Sequence, residues 1–140
     1  MKTPGKIIVY VAAVILLLFT ASIAVRLTRA DPQKTFLRNS NLRVEVLNGC
    51  GVNRLALKVT DLLREKGFNV VSVGAARSDS FPESVVLERA DENMENARYF
   101  AKRIGCKNVG KDVDPALYVD VTLIVGADYR KIFPDVEKKF

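Results

Sequence analysis

Residues Ile7 to Val25, IIVYVAAVILLLFTASIAV, contain neither a charge nor a proline. As a helix the run would extend about 28 Å, close to the ~30 Å hydrocarbon core of a bilayer. Backbone polar groups in lipid must be satisfied within the segment itself, so a single spanning helix is the expected form. The competing reading is a cleaved secretory signal. Lys2 and Lys6 form a basic leader and Ser22-Ile23-Ala24 resembles a small-x-small cleavage site, although the run exceeds the usual length of a signal's apolar region. A buried helix of a soluble protein is the third reading. The first two place the remaining residues at or across a membrane.

The formal charge of +6 over 140 residues could suggest a nucleic-acid partner, but its distribution argues against one. Lys2, Lys6, Arg26 and Arg29 flank the apolar run, which leaves residues 31–140 with 18 basic and 16 acidic side chains. A net of +2 on that part gives little support for counterion-release binding. Charge leaves the orientation open. Arg26, Arg29, Lys34 and Arg38 favour a cytoplasmic C-terminal part by the positive-inside count, whereas a very short tail before a first hydrophobic segment favours export.

The chain has two cysteines, Cys50 and Cys106, and no histidine. Four-ligand cysteine and histidine zinc sites and histidine-dependent nucleophilic catalysis are therefore excluded, and no metal or cofactor is expected. In an exported domain Cys50 and Cys106 are a candidate disulfide; the alternative is two separate thiols packed as small apolar groups.

The organisation expected is a short tail at 1–6, a spanning helix at 7–25, a polar linker at 26–41, a domain at 42–130 and a C-terminal tail at 131–140. Asp31-Pro32 and Asn39-Ser40-Asn41 read as turn and coil formers, and a flexible coil of this length would reach about 20 Å. Leu42 to Val46 alternates as a strand with one wet face. Leu55, Val59, Leu62 and Leu63 recur at helical spacing, with Gly67 closing the helix. Asn69 to Ala75 and Glu83 to Glu88 read as strands. Asp91 is the expected cap of a second helix with the stripe Met94, Ala97, Phe100, Ala101 and Ile104, stopped by Gly105. A weaker strand over Lys107 to Val113 and a clear one over Val119 to Val125 complete the order β-α-β-β-α-β-β. Alternation in the outer strands argues for an α+β, two-layer member of the α/β class, with a mixed sheet and helices mainly on one face.

The segment V44-E-V-L-N-G-C-G-V52 poses the functional question, because glycine-rich turns between strand and helix hold phosphates in nucleotide-binding folds. The dinucleotide fingerprint needs a third glycine where Arg54 stands and an acid after the second strand, where Ser72, Val73 and Gly74 stand. The Walker lysine is missing as well, so no nucleotide is expected. A smaller role survives: N–H groups around Asn48, Gly49, Cys50 and Gly51, with Arg54, form a candidate anion- or ligand-binding turn. The alternative is two glycines permitting a tight turn beside a solvated arginine. Asp120, Asp128 and Tyr129 around the last strand are secondary contact candidates. No catalytic residue is assigned, and the chain reads as a binding module.

These residues carry a family resemblance. V44-E-V-L-N-G-C-G-V52, L55-A, L62-L-R-E-K-G-F-N-V-V71 and V119-D-V-T-L-I-V-G-A-D-Y129 resemble the LytR C-terminal domain family over residues 42–130. That family often carries a small hydroxyl residue at the place of Cys50 and commonly a glycine at that of Arg54. The resemblance implies a bacterial cell-envelope setting, on the outer face of the cytoplasmic membrane behind a single spanning helix. Such domains also end LytR/CpsA/Psr phosphotransferases, which attach glycopolymers to peptidoglycan. No transferase domain precedes residue 42 in these 140 residues, so intrinsic transferase activity is not expected. The implied partners are the lipid bilayer, through 7–25, and peptidoglycan, an envelope glycopolymer or an envelope protein. An accessory subunit or enzyme of glycopolymer attachment, pairing Arg54 with Asp120 or Asp128, is the alternative. A cytoplasmic nucleic-acid-binding regulator is the second alternative and would need the opposite topology.

Overall fold

A computed structural model describes residues 4–29 and 31–139, so Lys2 of the expected basic leader and Phe140 of the expected tail lie outside the described residues. The chain divides into two compact units, 1–35 and 36–140. The first holds α1, Pro4–Thr28, which has no buried residue. This helix is apolar on every side and is long enough to cross a membrane.

The expected polar coil at 26–41 is corrected. Pro32–Asn41 forms a helix, α2. Asp31 caps it by accepting the Gln33 N–H at 3.0 Å, and Pro32 fills the first helical position, where its missing N–H costs nothing. Asp-Pro starts a helix here by the same chemistry that makes it a turn former elsewhere. The second unit thus begins before residue 42. Asn39 is buried; its amide donates to Lys66 O at 2.8 Å and its carbonyl accepts from the Tyr99 hydroxyl at 2.7 Å.

The domain follows the expected order: β1 Arg43–Asn48, α3 Leu55–Glu65, β2 Asn69–Ala75, β3 Val85–Glu88, α4 Glu95–Ile104, β4 Asn108–Lys111 and β5 Val121–Val125. One mixed sheet runs β2-β1-β5-β3-β4. β1 is parallel to both β2 and β5, β3 is antiparallel to β5, and β4 is parallel to β3. Val44, Val46, Val86, Val121, Leu123 and Val125 are buried together with Leu55, Val59 and Leu63 of α3 and Ala97, Phe100, Ala101 and Ile104 of α4. Phe68 meets Phe100 edge to face, with ring centroids 4.9 Å apart.

The expected C-terminal tail at 131–140 is also corrected. α5, Tyr129–Ile132, and a 3₁₀ turn at Val136–Lys138 follow β5, and Phe133 and Val136 enter the core. α4 starts at Glu95 with Met94 in the left-handed region at φ 59, so Asp91 does not cap it. Glu88 does that work from inside the core. It is 0% exposed, on the sheet face that meets the helices. Its carboxylate accepts from Ala97 N at 2.8 Å, Asp91 N at 3.2 Å and the Asn96 amide at 3.2 Å. Negative charge at a helix N-terminus is favoured by the unpaired N–H groups and by the helix dipole.

Glu88→Ala should therefore cost about 3 kcal/mol in chemical denaturation, since it leaves buried donors unpaired. Glu88→Gln keeps an acceptor and should cost about 1 kcal/mol.

Candidate functional site

The turn after β1 is drawn tightly into the fold. Gly49 N donates to Val125 O at 2.8 Å, Cys50 N donates to Asn48 Oδ1 at 3.2 Å, and the Asn48 amide donates to Val52 O at 2.7 Å. Two of the N–H groups expected to face an anion are thus spent, that of Gly49 on β5 and that of Cys50 inside the turn. The Asp79 carboxylate also stands close to Gly51, its carbon 3.6 Å from where a Cβ would lie. The pocket bounded by Arg54, Leu57 and Val73 is mainly aliphatic. Gly49 is required by space: a Cβ there would come within 2.7 Å of Ile124 Cγ2 and 3.0 Å of Phe81 Cδ2. Arg54 occupies the N-cap of α3 at φ 58 and makes no capping bond with its side chain. That backbone favours glycine, the residue common at this place in the resembled family, and costs a side chain about 1 kcal/mol.

Asp120 and Asp128 stand at opposite ends of β5. Asp120, just before the strand, receives the Arg43 backbone N–H at 2.8 Å and its guanidinium at 2.7 Å, closing the starts of β1 and β5. Asp128, beyond the other end, accepts the Ser84 N–H and hydroxyl, both at 2.7 Å. Arg54, which follows the C-terminal end of β1, is therefore not gathered with Asp120 into one cleft. Tyr129 is buried and donates to Glu137 Oε1 at 3.1 Å; burial, and then that bond, push its phenol above the ordinary value.

The candidate Cys50–Cys106 disulfide is corrected: both cysteines are free. Cys106 Sγ donates to Ser84 O at 3.4 Å, and burial pushes its thiol up. Cys50 is half-buried against the core. Among the described residues no group of three or more cysteine or acidic side chains is placed to hold a metal.

A more substantial site lies on the sheet face away from α3 and α4. Glu45, Leu47, Leu87 and Ile124 form its floor, with walls from Ala76, Arg77 and Phe81 on one side and Asp112, Asp114 and Leu117 on the other. The groove encloses about 610 Å³, within the ordinary range for ligand pockets. A continuous polar chain crosses the strands here. Ser72 Oγ donates to Glu45 Oε1 at 3.2 Å and Thr122 Oγ1 to Glu45 Oε2 at 2.8 Å. Arg89 Nε then donates to Thr122 Oγ1 at 3.0 Å, and Arg89 Nη1 reaches Asp112 O at 3.0 Å and pairs with the Asp112 carboxylate. Each group is held by the next, so the floor is set before a ligand arrives. The Gly49 carbonyl accepts the Phe81 N–H at 2.9 Å, so the opening turn supports one wall of this groove.

Sequence reading missed the groove because its residues come from four strands and two distant loops. Glu45 and Thr122 each look like solvated alternating positions. Only the register, which pairs Glu45 with Thr122, makes them neighbours.

Comparison with known proteins gives one family match: the model described as LytR cell envelope-related transcriptional attenuator covers residues 41–129. No curated protein and no solved structure matches.

The Arg43–Asp120 clamp makes a pH prediction. Burial pushes the Asp120 carboxyl up, but the hydrogen bonds and charge of Arg43 outweigh it and leave it below the usual carboxylate range. A depressed value contributes stability above the unfolded value of about 3.9, lost as pH falls through the folded one. The melting-temperature gap between the native chain and Asp120→Asn should be full near neutral pH and close progressively below about pH 4.

Proposed function

The chain belongs to the LytR cell envelope-related family whose model spans residues 41–129, and from that membership we propose that it is a non-enzymatic, membrane-anchored binding module of the bacterial envelope. Residues 7–25 of α1 hold it in the cytoplasmic membrane, with the domain on the outer side. The open-face groove takes the ligand: peptidoglycan, an envelope glycopolymer or a segment of an envelope protein.

The observation that carries this reading is the groove itself, whose floor sets Leu47, Leu87 and Ile124 beside the polar chain from Ser72 to Asp112. Apolar surface beside a few fixed polar groups is what a binding site needs to gain affinity and orient its ligand. The non-enzymatic part is supported by the separation of Arg54 from Asp120 and by the structural duty of Asp128 toward Ser84. Glu45, Thr122, Arg89 and Asp112 are likewise occupied with one another. The outer-face placement rests on the family's envelope setting.

Sedimentation of the full chain, in detergent, with isolated cell-wall material tests the glycan version. Retention is expected at low salt and should fall about tenfold, equivalent to about 1.4 kcal/mol, in Arg77→Ala and Leu117→Glu, which alter the groove rim. Retention that ignores both substitutions would move binding away from the groove. No retention at any salt concentration would turn the reading toward a protein partner.

A further inference from the structure

The helix side of the domain is unevenly charged. From Arg98 to Lys107, over most of α4 and the turn after it, stand Arg98, Lys102, Arg103 and Lys107 with no acidic residue between them. The one acid of α4, Glu95, lies in its first turn, where the helix dipole favours it. Tyr99 joins this run to α2. Its hydroxyl bonds Asn39, and its ring carries the Arg38 guanidinium 3.8 Å from the centroid and that of Arg103 at 5.6 Å. A guanidinium stacked on an aromatic face keeps its in-plane N–H groups for oxygen acceptors. Lys66, whose carbonyl accepts from Asn39, adds an exposed cation, while its neighbour Glu65 is paired with Lys139.

The same surface is tipped with apolar groups. Phe36 and Leu37 of α2 are 58% and 54% exposed, and Phe36 rests one ring edge on Gly67. Chain length keeps them near the end of α1: from Thr28 to Pro32 the backbone reaches at most about 14 Å. The other side of the sheet is charged in the opposite sense. There the groove walls at 76–82 and 112–118 set Asp79, Asp112 and Asp114 against Arg77.

We propose that Leu37, Arg38, Lys66, Lys102 and Arg103 form a docking surface for the anionic phospholipid headgroups of the bilayer that holds α1. This rests on the anchored reading of α1, and on neither the ligand of the groove nor the side of the membrane. Tether and charge select that occupant. The anchor keeps a lipid surface within reach of α2, anionic headgroups attract clustered lysine and arginine, and exposed apolar side chains enter the boundary with the acyl chains. Docked on its helix side, the domain turns the groove and its acidic walls away from the bilayer.

The chain contains no tryptophan, so Leu37→Trp supplies a single indole. The test places the full chain carrying it in phosphatidylcholine vesicles, with or without about one-third phosphatidylglycerol, and reads quenching by brominated acyl chains. Quenching should be at least about threefold stronger with the anionic lipid, and high salt should remove the gain. Adding Lys102→Glu and Arg103→Glu, far from α1 in sequence, should also remove it and leave the thermal transition unchanged. An indole at the groove, from Leu117→Trp, should stay unquenched.

A chain that floats with the vesicles after an alkaline wash while its Leu37→Trp indole stays unquenched would overturn the docking and leave the anchor standing. A chain that washes off would remove the anchor and the docking together. Quenching indifferent to anionic lipid and to both charge reversals would leave only the tether holding Leu37 near the bilayer, and would overturn the basic surface. So would equal quenching at Leu117→Trp, which puts the groove side on the membrane. Charge reversals that lower retention on isolated cell-wall material without changing the quenching would assign the surface to an anionic polymer instead.

Discussion

The pairing of β5 with both β1 and β3 is the constraint on which the domain depends. β5 is last in sequence but central in the sheet, and all five of its residues are buried. It joins a parallel half, β1 and β2 under α3, to a second half, β3 and β4 under α4. Neither half closes a core without it. The chain secures the strand at both ends: Arg43 with Asp120 at its start, and Gly49 N with Val125 O and Ser84 with Asp128 at its finish. Val44 meets Val121 across a long separation in sequence, so this closure carries a loop-entropy cost that local helix formation does not.

That arrangement explains how a site arises on the face without helices. β5 brings Thr122 beside Glu45, and its antiparallel pairing with β3 brings Arg89 to Thr122. The connections at 76–82 and 112–118 then rise on either side of the floor. The glycine-rich turn after β1, the most conspicuous feature of the sequence, serves this architecture. Its N–H groups bond inward, its carbonyl holds Phe81, and Gly49 leaves room for Ile124. The turn identifies the domain by supporting a groove wall.

The element order, the mixed sheet and the stripes of α3 and α4 are legible in the sequence because each rests on local periodicity. What stayed hidden depends on tertiary partners. Asp31-Pro32 starts a helix once Asn39 has Lys66 and Tyr99 to bond with. Glu88 looks solvated until the start of α4 turns its N–H groups toward it. Phe133 and Val136 look like a tail until the chain turns back after Tyr129. The two cysteines, a plausible pair by compartment, each have their own packing environment. The groove, built from register and loops, had no local signature at all.

The central claim is a domain held outside the cytoplasmic membrane by α1, and its orientation tests it most directly. Spheroplasts expressing the full chain, treated with external protease and probed for the domain at 36–140, should lose the domain while a cytoplasmic marker survives. A domain that stays intact until the membrane is permeabilised would contradict the account and place the groove on the cytoplasmic side.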